Sequence, residues 1–360
     1  MLTTFLRTTW ETVHGVAVVV RVAVQAVFGR RLDEAWDWRT QASRDLLVRW
    51  STDPQARRGL MVLSGVLGWA QQHVPPLQTH TCVELMATQA YLVDAPMVLR
   101  CGRWGARLQA MSLGPQMPLP VDLIESTRTV INRRRVGLLL HGGAYVTGGR
   151  TEYRALAVRL SRELGLPVYV AEYRLAPGTR YPGQLYDALR ALGFLADQGY
   201  AASSVVLIGD SAGGNLALAL WQATRASFLG MLLMSPRVDV VSRQPSWSRN
   251  MHRDILPPFT WNAGPLAMLL RPEDRVEEDG FLAPVHANWS GAPRMLVQAG
   301  TGEVMLDDVR AFVRRAAAEG VHVVYAEYEG AFHVFQAAPL GAVGAAGAWR
   351  QAGDFVRALG

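Results

Sequence analysis

The chain contains no lysine; all 36 of its permanently basic side chains are arginines. That absence removes Schiff-base chemistry, the phosphate-binding lysine of a P-loop and a Ser–Lys dyad from the functions open to it. A serine nucleophile in this chain would depend on histidine as its base. Cysteine is nearly absent too. Cys82 and Cys101 are the only two, too few for a disulfide framework or a cysteine-based zinc site. The eight histidines include no H-E-x-x-H pair or comparable ligand spacing, so no metal and no cofactor are expected. Long apolar runs are also missing. The run at 15–28 is broken by Arg21 and Gln25 and falls short of the roughly 18–20 apolar residues of a spanning helix. Glu11 and the lack of a small-residue cleavage site argue against a signal peptide. The run reads as a helix buried against the rest of the protein, with an interfacial helix on a membrane surface as the competing reading. The expected location is cytoplasmic, with peripheral membrane contact through this helix as the alternative.

What is present is a chain of 360 residues, 50% hydrophobic and 18% charged, which suits one large globular domain or a core with a lid. The net charge of +6 is spread along the sequence, and its densest cluster, Arg133-Arg134-Arg135, reads as a solvated loop before a strand. No nucleic-acid motif accompanies it, and nucleic acid is not an expected partner. Residues 1–104 carry helix-like periodicity and are assigned to an amino-terminal helical or cap region. From about 105 the pattern changes. Apolar strand candidates at 136–140, 167–172, 205–208, 230–234, 294–298 and 321–325 alternate with helical stretches at 151–164, 184–198, 215–226 and 307–320. Short, continuously apolar strands alternating with helices imply an α/β fold with a mostly parallel sheet covered on both faces. The alternation breaks once. Residues at about 238–290, rich in Trp, Pro, Asn and charge, are too many for a simple connection and read as a cap inserted into the 105–360 domain.

The most informative string is Gly209-Asp210-Ser211-Ala212-Gly213, lying between an apolar strand and the helix-forming run from Asn215. In that context G-x-S-x-G means a nucleophile elbow, a turn so tight that the residues two before and two after the serine must be small. Acyl transfer at Ser211 needs a base, an orienting acid and donors for the oxyanion. His141-Gly142-Gly143-Ala144-Tyr145 ends a strand in consecutive glycines, and the N–H groups of Gly142, Gly143 and Ala212 are the expected donors. His333 is the expected base, because it follows the last strand candidate and precedes the final helix. Glu303, in the loop after the strand at 294–298, is the expected acid. Asp307 is the alternative; it and Asp308 sit where carboxylates also stabilise the start of a helix.

These residues carry a family resemblance. HGGA-Y at 141–145, YRLAP at 173–177, YP at 181–182, GDSAGGN at 209–215 and H-V-F at 333–335 together resemble the hormone-sensitive-lipase-like branch of the α/β-hydrolases. The resemblance spans about 105–360 with its motifs in order. It implies an esterase or lipase acting on acyl esters beneath a cap, and it matches Ser211 to the nucleophile, His333 to the base and Glu303 to the acid, which is more often aspartate. Gly142, Gly143 and Ala212 match the oxyanion donors. Three departures stand out. Ala144 replaces the third glycine of HGGG, Gly178 replaces a frequent glutamate, and Arg237 stands where tryptophan is common after Ser-Pro. Ala144 keeps a backbone donor, while its methyl would narrow the acyl pocket or limit bulky alcohols.

The sequence thus points to a serine carboxyl-ester hydrolase that forms an acyl-enzyme on small-molecule esters, with the Trp- and Leu-rich insertion favouring apolar acyl groups. Two other readings stay open: an acyltransferase using the same triad, and a non-catalytic small-ligand binder on the same scaffold, as plant gibberellin receptors illustrate. Oligomeric state is not addressed by the sequence.

Overall fold

A computed structural model describes residues 121–360 apart from 127–128, 242–243, 257–259, 271–273, 275–279 and 339–340. The apolar run at 15–28 and both cysteines lie outside the described residues. Seven strands form one sheet: β1 (Val121–Ile124), β2 (Val136–Leu140), β3 (Val168–Ala171), β4 (Val205–Asp210), β5 (Gly230–Met234), β6 (Met295–Gly300) and β7 (Val323–Tyr328). Their order across the sheet is β1-β3-β2-β4-β5-β6-β7. All neighbours are parallel except β1, which runs antiparallel to β3. This is the mostly parallel α/β sheet expected from the alternating sequence, in the arrangement that the resemblance to α/β-hydrolases implies.

The strands are continuously apolar because both sheet faces are covered, so both sets of alternating side chains are buried. Leu138, Leu140, Val205 and Leu207 face one layer, with α2 (Gly183–Asp197), α3 (Ser211–Thr224) and α6 (Leu306–Ala318). Leu139, Val206 and Ile208 face the other, with α1 (Arg150–Leu164) and α7 (Ala345–Arg357). Each such leucine removed from water contributes about 1.5–3 kcal/mol.

Three differences from the sequence reading have physical causes. Strand β1 was not expected, because an acid interrupts its four residues. Asp122 is buried and paired with Arg150 and Arg154 of α1, so a charged residue occupies a position that patterning reserves for an apolar one. Helix α3 begins at Ser211 rather than Asn215, since the elbow glycines are themselves the helix's first turn. Strand β7 starts two residues later than expected and runs to Tyr328, which places His322 outside it and exposed.

The insertion closes on itself at its base, where the Val240 N–H donates to the Leu282 carbonyl and the Val285 N–H to that of Val238. It contains the short helix α4 (Ser246–Arg249) and α5 (Thr260–Leu269). Its final part is core rather than cover: Trp289 is fully buried, stacked on Trp221 of α3 and set edge-on to Phe312 of α6. Among the described residues no helix is long and apolar enough to cross a membrane.

Candidate active site

The carboxyl ends of β2, β4, β5, β6 and β7 lie side by side, the edge at which open α/β sheets place their ligand sites. β4 ends at Asp210, and Ser211 turns abruptly with φ of 51°, a left-handed conformation costing a non-glycine residue about 1–3 kcal/mol. The glycines make this turn sterically possible. A Cβ on Gly209 would lie 2.3 Å from the Gly213 carbonyl oxygen, and one on Gly213 would lie 2.0 Å from that of Leu140 in β2. The strain is held by bonds on both sides, including that from the Arg237 N–H to the Ser211 carbonyl at 2.9 Å. The result is a serine at the amino end of α3, where the first-turn N–H groups, that of Ala212 among them, lack helical partners.

On one side of Ser211 lies the loop after β2. Here the expectation for Gly142 needs correction. Its N–H is already shared between Asp210 Oδ1 at 3.0 Å and the Tyr153 hydroxyl oxygen at 2.9 Å, so it anchors the loop and is not free to hold an oxyanion. Tyr153 in turn donates to Asp210 Oδ2 at 2.8 Å. Burial raises the Asp210 carboxyl to about 6, opposed by Tyr153, His333 and the Gly142 N–H. Among the described residues no acceptor engages the N–H of Gly143 or of Ala144. Ala144 and Tyr145 both adopt positive φ, of 54° and 65°. Two partners hold that strained pair: the Tyr145 hydroxyl donates to Asn215 Oδ1 at 2.5 Å, and the Ala176 N–H donates to the Tyr145 carbonyl at 2.9 Å.

On the other side, Glu303 and His333 meet. Glu303 is fully buried, and its Oε2 lies 3.0 Å from His333 Nδ1. Its Oε1 accepts from the Ser235 hydroxyl at 2.7 Å and from the Gly300 N–H at 2.5 Å. With Nδ1 committed to the carboxylate, His333 Nε2 is left buried and without a hydrogen-bond partner among the described residues. Burial lowers the pKa of this imidazole, but the hydrogen bond and charge of Glu303, then the charges of Asp254 and Asp210, outweigh it and hold the value above 6.5. The next residue, Val334, is β-branched yet has φ of 53°, an outlier conformation pinned by its N–H donating to Ser235 Oγ at 3.0 Å.

This arrangement has relatives. A family model described as the alpha/beta hydrolase fold matches residues 138–337. The chain belongs to that family. An acetyl-hydrolase of Streptomyces hygroscopicus is 32% identical over 210 residues, covering 56% of this chain and 68% of the relative. The esterase LipU of Mycobacterium tuberculosis is 31% identical, covering 62% and 78%. Among solved structures, an esterase of the bacterial hormone-sensitive lipase family superposes with a TM-score of 0.64 at 27% identity, covering 83% of this chain and 97% of that one. The chain is an α/β-hydrolase of the hormone-sensitive-lipase-like branch and a carboxylesterase-type hydrolase.

Within this hydrolase, the alternative acid stands apart from the imidazole. Asp307 sits in the first turn of α6 and pairs with Arg249 and Arg310. Burial favours its neutral form, but hydrogen bonds and charges from those two arginines hold its pKa below the ordinary carboxylate value. His252, His286 and His322 are exposed. His141 is buried and stacked on Tyr173, whose hydroxyl donates to its carbonyl; burial pushes its pKa down to about 4, against the Gly142 backbone contact. It therefore stays neutral and supports the loop. Sequence reasoning did not find Ser235, Asn250 or Asp254, all buried beside Glu303 and His333. The only sequence signal was the four-residue spacing of Ser246, Asn250 and Asp254 in a polar stretch, which marks one face of a helical turn.

Proposed function

We propose that this hydrolase cleaves carboxylic esters of apolar acyl groups through an acyl-serine at Ser211. The observation that carries the reading is the buried His333 imidazole, oriented at Nδ1 by buried Glu303 and unpartnered at Nε2, on the same sheet edge as a strained serine. An acceptor nitrogen left unbonded in the interior is costly unless it has a proton to take.

In this mechanism the Ser211 oxygen bonds to the ester carbonyl carbon as its proton passes to His333 Nε2. The carbonyl oxygen takes the negative charge and is held by the N–H groups of Gly143, Ala144 and Ala212. His333 then gives its proton to the alkoxide, the carbon–oxygen bond to the alcohol breaks, and the acyl group stays on Ser211. Water repeats the sequence: it loses a proton to His333, attacks the acyl carbon, and the serine oxygen leaves with that proton restored. Glu303 stabilises the imidazolium in both halves without accepting a proton. The apolar acyl preference rests on the Ala144 methyl beside the oxyanion position and on the tryptophans and leucines of the insertion.

The test is Ser211→Ala on short-chain aryl esters, with a fluorophosphonate as covalent label. Turnover should fall by about 10⁵–10⁶-fold and labelling should vanish. Wild-type rates in that variant, or an unlabelled wild-type protein, would overturn the reading.

A further inference from the structure

The insertion is the segment expected to cover the site, yet its first arm is built into the acid–base pair itself. Asp254 is buried, and its carboxylate joins two separate loops: Oδ2 accepts from the Val304 N–H at 2.8 Å and Oδ1 from the His333 N–H at 2.8 Å. Val304 follows the acid and His333 is the base, so a single side chain spans the backbones that carry both. Its Oδ1 also accepts from its own neighbour, the Ile255 N–H, at 2.7 Å. One turn earlier, Asn250 Nδ2 donates to the carbonyls of Thr301 at 3.0 Å and Glu303 at 2.7 Å. A turn before that, Ser246 Oγ donates to the Val304 carbonyl at 2.6 Å and accepts from the Asp307 N–H at 3.1 Å. The run keeps helical spacing past α4, with the Asn250 N–H donating to Ser246 and the Asp254 N–H to Asn250.

We propose that Asp254, backed by Asn250 and Ser246, is a positioning residue that sets the distance between Glu303 and His333 and adds a second carboxylate behind the imidazolium. The proposal rests on the reading of Ser211, His333 and Glu303 as the catalytic triad. A purely structural clasp could have been made by neutral groups, since backbone N–H groups need only an acceptor. A buried carboxylate is the costlier choice, and it is repaid where a positive charge develops nearby. That charge is the imidazolium of His333, faced by Glu303 from the loop after β6, by Asp254 from the insertion and by Asp210 from β4. Burial pushes the Asp254 carboxyl up to about 6, opposed by His333 and by the two N–H groups it binds, with Glu303 reinforcing the rise. The charge of His333 thus favours the ionised form of the carboxylate that faces it.

The deciding variant is Asp254→Asn in the full chain, assayed for kcat and KM across pH. It keeps an acceptor for one backbone N–H but loses the charge. We expect kcat to fall about tenfold with KM within about twofold. The acid limb of kcat/KM should move to lower pH, because a charge that favours protonated His333 is gone. A merely structural role would lower the melting temperature and leave that limb in place. Asn250→Ala removes the adjoining grip without touching charge; it should lower kcat and leave the limb unmoved. Wild-type kcat and an unmoved limb in Asp254→Asn overturn the proposal. If that variant does not fold, unchanged kcat in Asn250→Ala overturns it instead. Failure of the triad reading would look different: the wild-type protein would be unlabelled by fluorophosphonate, or Ser211→Ala would retain turnover.

Discussion

The two flanks of Ser211 are held by different means. The flank proposed to hold the oxyanion is an extension of β2, kept in shape by left-handed backbone at Ala144 and Tyr145 and by tyrosines bonded to Asp210 and Asn215. The acid–base flank has no such continuity. Glu303 and His333 are brought together by Ser235, Asn250 and Asp254, which lie between 50 and 99 positions away from the groups they bind. The first flank continues one strand and is anchored to another, its tyrosines 57 and 70 positions from their partners; the second joins loops that no single element connects. Local strain fixes where amide donors point, whereas a proton relay needs several independent groups to agree on one distance.

The comparison is broken most severely at the acid. Glu303→Ala should lower kcat by about 10⁴-fold while Asp307→Asn changes it by less than about threefold, measured side by side on one aryl ester. Comparable losses in both would mean that the acid–base flank is not organised around Glu303. A smaller effect is expected across the sheet. Asp210→Asn weakens the anchor on the Gly142 N–H and lets the oxyanion loop drift, so kcat should fall by about 10²-fold with fluorophosphonate labelling slowed and not abolished. The smallest effect sharpens the contrast: Tyr145→Phe leaves buried Asn215 Oδ1 short of a donor. It should cost about 1–3 kcal/mol of stability in a denaturant titration while kcat changes by less than about tenfold. If that variant instead lost activity with unchanged stability, the tyrosine would act on substrate and not on the loop.

The same contrast explains what was legible in the sequence. The parallel strands sit in contiguous apolar runs that patterning reads directly; Ser211, Gly143 and Ala212, on which the proposed mechanism rests, come from contiguous strings, and His333 from chain order. A string of glycines does not reveal that a neighbouring carboxylate already takes the Gly142 N–H; Asp210 is in the elbow motif, but its reach across to the loop after β2 is not. Asp254 and Asn250 were read as cover because polar residues in an irregular segment look like surface. Only tertiary contacts 50 or more positions away bury them. Strand β1 escaped for the related reason that Asp122 faces arginines of a helix still to come.

The insertion's two arms set a limit on rebuilding this enzyme by cap exchange. A graft cut at 238 would discard Ser246, Asn250 and Asp254 and strip partners from the backbone at 301, 303, 304 and 333. A graft extending through 289 would also remove Trp289 from between Trp221 and Phe312, as well as the Gly280 carbonyl that accepts from Gln222 Nε2. Even an exchange confined to α5 would take Leu269 out of the main core and its carbonyl away from the Tyr181 N–H.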